Sequence, residues 1–271
     1  MCSSKAGGKP ALRARARVYG LVGWIVLAAW SPLAPASPPA VPEAAVAYAQ
    51  SQFRRAQDRY RAEPANPEAA WEFGRACFDI AEIAGSRAER ARTADQGIAA
   101  CRRAVERASN SAPAHYYLAM NQGQLARTKG LGALKLVGQM RHEFTVAADL
   151  DEHFDYAGPD RNLGQLYRDA PSIGSIGNRA LAKQHLRRAV QLAPDFPDNR
   201  LNLLEALVKW GEYDEARREL SAIEELWPKA RERFTGPAWA GDWANWEQEL
   251  KRLKKKVEDS SRTLESPRSR Q

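Results

Sequence analysis

The most regular pattern of apolar and polar positions in the chain runs from Pro197 to Pro228. Large apolar residues recur there at helical spacing, small residues interrupt them, and a Gly-x-Tyr turn divides the run in two. The positions concerned are Leu203, Leu204, Leu207, Gly211, Tyr213, Ala216 and Leu220. Because small residues let two antiparallel helices approach closely while bulky residues fill the remaining gap, the pattern predicts a helical hairpin.

This spacing resembles the tetratricopeptide repeat (TPR), a unit of ~34 residues that stacks into a solenoid. Similar units start at Pro67, near Ala112, near Ala157 and at Pro197. The resemblance implies an all-α, TPR-like helical-hairpin solenoid of about four repeats over residues 65–230. In the first three units the small residues of the paired helices are 30, 28 and 25 residues apart, which is longer than in a regular unit. We expect the extra residues at the tips of the hairpins.

Helices are also predicted on both sides of this array, where they would cap it. Residues 43–64 carry apolar side chains at helical spacing and stop shortly before the first repeat. Residues 231–258 contain Trp239, Trp243 and Trp246, followed by leucines on the same helical face. We predict that both segments are capping helices. For the tryptophans, the alternative is the aromatic wall of a ligand site.

The first 36 residues have the organisation of a signal peptide. A basic segment without acids precedes the apolar run Val18–Trp30, and residues 34–36, Ala-Pro-Ala, offer small side chains for cleavage. The apolar run is short for a membrane span, which needs about 20 residues. We therefore expect cleavage after residue 36, a linker over 37–42, and a mature protein that is periplasmic or secreted. The alternative is an uncleaved signal that anchors the protein in the inner membrane.

The excess of positive charge lies at the two ends of the chain. The sequence has 41 basic and 33 acidic residues, a net charge of +8, and the signal segment accounts for several of the basic ones. Residues 259–271 extend a basic terminus that we predict to be a disordered tail. Because the body between the ends is near neutral, we expect no nucleic-acid binding. The alternative role of the tail is peripheral contact with an anionic membrane.

No catalytic motif is present in the sequence. The four histidines lack the spacing of a zinc protease, and there is neither a nucleophile elbow nor a phosphate-cradling glycine loop. We therefore expect a protein that is not an enzyme and that holds no cofactor and no metal.

Two cysteines lie outside the signal segment, Cys77 and Cys101, one on each predicted helix of the first hairpin. In an exported protein such a pair is a candidate for a disulfide. The alternative is two buried thiols that act as small apolar residues.

The inner surface of a TPR superhelix is formed by the first helix of each repeat, which places nine side chains on the candidate binding surface. These side chains are Trp71, Arg75, Phe78, Tyr116, Met120, Arg161, Gln165, Arg168 and Glu205. Aromatic and apolar groups dominate the N-terminal half of this set, and cations dominate the middle. The mixture suits an amphipathic or anionic ligand whose carboxylate contacts Arg161 and Arg168.

A narrower resemblance is carried by motifs in residues 116–171, and the match covers roughly residues 65–225. This segment contains Leu-Ala-Met, Thr-Lys-Gly and Gly-Pro-x-Arg-x-Leu-Gly-x-Leu-Tyr, and it is similar to the exported TatT-type TPR family associated with TRAP transporters. The stretched hairpins are also similar to those of the animal regulators of microtubule dynamics. The TatT resemblance implies an all-helical periplasmic protein whose partner is a transport component. The chain departs from that family in lacking a lipidation cysteine after its apolar run.

These features predict an exported, non-catalytic TPR protein that acts as a protein–protein interaction scaffold or adaptor in the periplasm. The expected partner is a protein or peptide, for example a periplasmic transport component. The alternative function is a carrier of a small amphipathic or anionic ligand linked to solute transport. A scaffold requires an open groove, whereas a carrier requires an enclosed apolar pocket lined by Trp71 and Tyr116.

Overall fold

A computed structural model of the protein describes residues 41–130 and 132–265. The predicted signal peptide and most of the linker lie outside the described residues, as does the end of the chain from residue 266. The described part folds into ten helices and contains no strand. The helices are α1 Glu43–Ala62, α2 Pro67–Glu82, α3 Arg87–Arg107, α4 Ala112–Ala126, α5 Ala133–Leu150, α6 Phe154–Asp169, α7 Arg179–Leu192, α8 Pro197–Lys209, α9 Tyr213–Arg233 and α10 Ala240–Glu265.

Helices α2 to α9 pair into four consecutive hairpins, which confirms the predicted all-α, TPR-like solenoid. Three of the four repeats begin at the predicted residues, Pro67, Ala112 and Pro197. Proline is favourable at the first position of a helix because the amide hydrogen that it lacks has no partner there. Asn66 adds a cap to α2 by accepting a hydrogen bond from the backbone N–H of Glu68 at 2.9 Å.

Small residues lie where the paired helices approach most closely, as the repeat pattern predicts. A Cβ atom placed on Gly164 of α6 would lie 2.6 Å from Cγ of Leu186 on α7. Gly74 of α2 has a similar relation to the thiol of Cys101 on α3. Any larger side chain at these glycines would have to push the two helices apart.

The extra length of the first repeat lies within its helices, so the prediction of an insertion at its tip is wrong. Helix α3 has 21 residues, and only residues 83–86 connect it to α2. This turn is tight because Ser86 accepts a hydrogen bond from the backbone N–H of Glu89 while the Glu89 carboxylate accepts one from the N–H of Gly85. The second and third repeats do have longer connections, over residues 127–132 and 170–178.

The two ends of the solenoid meet. Helix α10 packs against α8 and α9 and also contacts α1, where Tyr48 lies against the C-terminal apolar core. Helix α10 continues through Glu265, so the described part of the predicted disordered tail is helical instead. Arg262, Leu264 and Glu265 of this segment are good helix formers, which supports the extension. Among residues 41–130 and 132–265, no helix is both long and apolar enough to cross a membrane.

Candidate binding surface

The first helices of the repeats form the concave side of the solenoid. Within the described residues, α2, α4, α6 and α8 contact one another in turn. Only three of the nine predicted binding residues are partly exposed there, namely Trp71, Arg75 and Glu205. The other six are buried: Phe78, Tyr116, Met120, Arg161, Gln165 and Arg168. The concave side is therefore largely closed, and the nine residues do not form one accessible surface.

Arg161, predicted to bind an anionic ligand, is instead fully buried among acidic side chains of the protein. Its Nη2 atom donates to Oδ2 of Asp155 at 3.0 Å, and its Nε atom lies 3.1 Å from Oδ2 of Asp198 on α8. Nη1 donates to Oδ1 of Asn199 at 3.0 Å. These contacts use the guanidinium to join the third repeat to the fourth, so it is not available to a partner.

The Arg161 cluster also holds an unusual backbone turn at the start of α6. Asp155, Tyr156 and Ala157 have φ values of 55°, 55° and 60°, in the left-handed region that residues with a Cβ atom avoid. Arg161 donates to the carbonyls of Asp155 and Tyr156, both at 3.3 Å, and Asn199 donates to the Tyr156 carbonyl at 3.0 Å. The buried polar groups thus compensate a strained turn that re-aims the chain between the second and third repeats.

Tyr116 connects the same cluster to the second repeat. Its hydroxyl donates to Oδ2 of Asp155 at 2.6 Å and accepts a hydrogen bond from Asn162 Nδ2 at 3.0 Å. The Tyr156 ring stacks on Phe196, with ring centroids 4.5 Å apart. Three successive repeats are therefore tied together at one buried point.

Two buried carboxylates share the Arg161 guanidinium, and this changes their protonation. Burial raises the pKa of Asp198 to about 6, although the charge of Arg161 opposes the rise and the charge of Asp155 adds to it. Burial also raises the pKa of Asp155, against the attraction of Arg161. With one proton shared by the two aspartates, the remaining carboxylate and the Arg161 guanidinium have no net charge. Protonation of this pair is therefore easier than protonation of an aspartate at the surface.

We predict that Asp198 makes the protein more stable as the pH falls from 6 to 4. A carboxyl group with a higher pKa in the folded than in the unfolded state binds its proton more tightly when folded, so its contribution is greatest below the unfolded pKa. The difference between the pKa of Asp198 in the folded state and its pKa in the unfolded chain corresponds to a change in the free energy of unfolding on the order of 2–3 kcal/mol. Urea unfolding of wild type and of Asp198→Asn at pH 4, 5, 6 and 7 measures this contribution.

As the pH rises from 4 to 6, the wild type should lose stability relative to Asp198→Asn. Above pH 6 the difference in stability between the two proteins should change little. The pKa of Asp169 is shifted in the opposite direction from that of Asp198. Burial alone would raise the pKa of Asp169, but the charges of Arg168 and Lys209 hold it below its ordinary value. Asp169→Asn is therefore the control, because its effect is confined to lower pH. Parallel pH profiles of wild type and Asp198→Asn would contradict the assignment.

Arg168, the second predicted anion-binding cation, also pairs within the chain. It donates to Asp169 Oδ2 at 2.7 Å and lies 2.6 Å from Oε2 of Glu205. Glu205 accepts a further hydrogen bond from Arg252 of α10 at 2.8 Å, and Lys209 donates to Asp169 Oδ1 at 2.8 Å. Alternating charges therefore run from α6 across α8 to α10.

This row of charges borders an open cavity of about 670 Å³ between α8 and α10, which we call the α8–α10 groove. It is lined by Asp169, Glu205, Val208, Lys209, Tyr213, Arg252, Leu253, Lys256, Asp259 and Ser260. Both signs of charge surround a few apolar side chains. Glu205 is the member of the predicted set that lines the groove. The prediction missed the residues of α10 because it treated that helix as a cap, although its basic face was visible in the sequence.

The N-terminal mouth of the concave side is aromatic. Trp71 stacks on Tyr117, with ring centroids 6.1 Å apart and nearly parallel planes. The Arg75 guanidinium lies 6.0 Å from the centroid of the same Tyr117 ring. The enclosed apolar pocket expected between Trp71 and Tyr116 is replaced by direct packing of aromatic side chains, since Tyr116 contacts Tyr117, Phe144 and Phe154.

Cys77 and Cys101 are both free and buried, so of the two alternatives the structure has the pair of thiols and not the candidate disulfide. Burial raises the pKa of each thiol above its ordinary value. Both groups are therefore protonated and unreactive at neutral pH.

The described residues 42–153, from α1 through α5, match the sequence family described as regulator of microtubule dynamics protein 1-3. Residues 177–233, from α7 through α9, match the family described as tetratricopeptide repeat. No curated protein matches the chain. A similar solved structure is that of a thermophilic TPR protein in Thermus thermophilus, with 18% identity and a TM-score of 0.54 over 68% of this chain and 86% of that chain. The hairpin geometry and these matches together show that the chain has a TPR-like fold of stacked helical hairpins.

Proposed function

We propose that this protein is a non-catalytic TPR scaffold that binds a protein or peptide partner in the α8–α10 groove. TPR-type solenoids generally present a continuous surface to other proteins. Here most of the concave side is used for internal ion pairs, and the α8–α10 groove retains accessible charged groups next to apolar ones. The row of charges along the α8–α10 groove is the observation that carries the proposal.

The charges of the α8–α10 groove define the partner. Lys256 is exposed and makes no ion pair within the described residues, while Lys209 lies about half exposed beside Asp169. Leu253 and Val208 provide an apolar base. A segment that carries acidic side chains beside an apolar one would contact the two lysines and this base, and Glu205 would disfavour a second acid at the inner end.

The proposed location is the periplasm, and this rests on the organisation of the first 36 residues as a signal peptide. The resemblance to TatT-type proteins favours a component of solute transport as the partner. A second candidate function, a carrier of a small amphipathic or anionic ligand, is favoured by the size of the α8–α10 groove. Its volume lies within the range of about 300–1,000 Å³ that small-molecule sites occupy.

The test is binding by variants of the groove. We expect Lys209→Ala combined with Lys256→Ala to weaken binding of the partner by about tenfold or more, because two charge-assisted contacts are lost. The partner is first isolated by crosslinking to the full mature chain in a periplasmic extract, and the affinity is then measured by calorimetric titration.

Lys251→Ala combined with Lys255→Ala is the matched control. These exposed lysines lie on α10 outside the groove, so their removal changes the net charge equally without touching the site. Equal affinity of both double variants for the isolated partner would exclude the α8–α10 groove as its site. A small molecule that copurifies and is lost only from the groove variant would favour the carrier.

A further inference from the structure

A second cavity, of about 540 Å³, lies on the opposite, convex side of the solenoid between α3 and α5. Helix α4 forms its floor, where Leu118 is buried and Gln122 is 3% exposed. The walls come from the second helices of the first two repeats. This cavity, which we call the α3–α5 pocket, shares no lining residue with the α8–α10 groove. A ligand of the α3–α5 pocket would therefore contact none of the residues that line the groove proposed for the partner.

Gln122 indicates that the α3–α5 pocket is built for a polar ligand. Its side-chain oxygen is buried and accepts no hydrogen bond. A buried acceptor without a donor is unfavourable, and native proteins rarely leave one without a reason. Gln122 lines the pocket, so a rotation of its side-chain amide would bring this oxygen to a ligand that supplies the missing donor.

Gly138 indicates that the space itself is maintained. It lies in the interior of α5 and lines the pocket, and a Cβ atom added there would meet no heavy atom within 4 Å. Glycine in a helix interior is unfavourable relative to alanine. No close packing requires a glycine at this position, so the effect of its missing side chain is to keep the α3–α5 pocket open.

The rim of the pocket carries charges that are not used within the fold. Arg102, Glu106 and Lys135 are exposed, and none makes an ion pair within the described residues. The remaining acid of the wall, Glu143, already lies 2.6 Å from His115. Arg102 and Glu106 lie one helical turn apart on α3, and Lys135 stands on α5 at the opposite wall.

We propose that the α3–α5 pocket binds a small zwitterion of the amino-acid class with an apolar side chain. The ligand carboxylate contacts Arg102 and Lys135. Its ammonium group donates to Gln122 Oε1 and is balanced by Glu106, and its apolar side chain lies on Leu118. A ligand that lacks either charge leaves one end of the pocket without a counter-ion, and one without a donor leaves Gln122 unsatisfied.

Three probes with the same branched apolar end test the ligand class: L-leucine, 4-methylpentanoate without the ammonium group, and 3-methylbutylamine without the carboxylate. Binding to the full mature chain is measured by ligand-observed NMR and calorimetry. We expect L-leucine to bind, and both analogues to bind at least tenfold more weakly. Failure of wild type to bind L-leucine or other apolar amino acids, or equal binding of 4-methylpentanoate, would overturn the proposal.

Gly138→Leu tests the location without relying on a destabilising change. The new side chain fills the pocket, so we expect L-leucine binding to be lost, while the melting temperature stays at or above that of wild type because a strong helix former replaces glycine. Thr145→Leu is the control, since it adds an exposed leucine to the same helix outside the pocket. Unchanged binding by Gly138→Leu would place the ligand elsewhere.

The rim charge is tested by Arg102→Ala, with Arg92→Ala as its control. Both arginines lie on α3 and are exposed, and Arg92 does not line the pocket. We expect Arg102→Ala to weaken L-leucine binding at least fivefold and Arg92→Ala to leave it unchanged. The same effect from both variants would overturn the assignment of the carboxylate end.

Discussion

Arg161→Ala is expected to destabilise the protein by about 3–5 kcal/mol, the cost typical of breaking a buried ion pair from one side. The substitution leaves Asp155 and Asp198 buried without their shared counter-charge. It also removes the donor to two carbonyls of the left-handed turn. A change of this size would lower the melting temperature by about 2–4 °C per kcal/mol in a protein of this length. Thermal and urea unfolding measure it.

Arg61→Ala is the matched control, because Arg61 and its partner Asp58 are both largely exposed. An exposed pair of this kind is worth about 0–1 kcal/mol. The double variant Arg161→Ala with Asp198→Asn should lose less than the sum of the single variants, since one of the unpaired charges is then gone. Equal losses from Arg161→Ala and Arg61→Ala would mean that the buried cluster does not stabilise the fold.

The Arg161 cluster explains how repeats of unequal length stay in one solenoid. Tyr116 belongs to the second repeat, Asp155 and Arg161 to the third, and Asp198 to the fourth. In a regular repeat array, apolar packing alone sets the angle between neighbours. Here a left-handed turn redirects the chain at the third repeat, and hydrogen bonds from both sides hold it. We therefore expect the network to fix the relative orientation of the repeats as well as to stabilise them.

The repeat boundaries could be predicted because their signals are local. Pro67 and Pro197 stand at the first position of a helix, and Gly164 stands where a larger side chain would clash with Leu186. The third boundary, expected near Ala157, lies at the end of the left-handed turn with which α6 opens. That turn contains no glycine or asparagine, the residues that usually mark such a conformation.

The binding surface could not be predicted from the same periodicity. The pattern places Arg161 and Arg168 on the first helix of a repeat, but it does not tell whether that face is open. Whether it is open depends on contacts between residues far apart in the sequence, such as those of Arg161 with Asp198 and of Arg168 with Glu205. It also depends on the meeting of α1 with α10. Neither kind of contact has a local sequence signal.

Trp246→Ala is expected to cost about 3–5 kcal/mol, as typical for the loss of a large buried aromatic side chain. Trp246 is 1% exposed at the centre of the C-terminal core. Its ring contacts Phe196, Phe234, Trp239 and Trp243, with centroids 5.0–6.1 Å apart. Alanine would leave a cavity between α10 and the fourth repeat that the rigid neighbouring rings cannot fill.

The consequences of Trp246→Ala should extend beyond stability, because α10 also supplies one wall of the α8–α10 groove. Loosening of α10 would weaken binding of the partner even though Trp246 does not line that groove. Trp210→Ala is the control: this tryptophan is partly exposed, packs at the edge of the same core and stacks with Arg179, so a smaller loss than that of Trp246→Ala is expected. Urea unfolding and hydrogen exchange of α10 distinguish the two variants. Similar small losses from both, with α10 protected as in wild type, would show that the tryptophan cluster does not anchor the last helix.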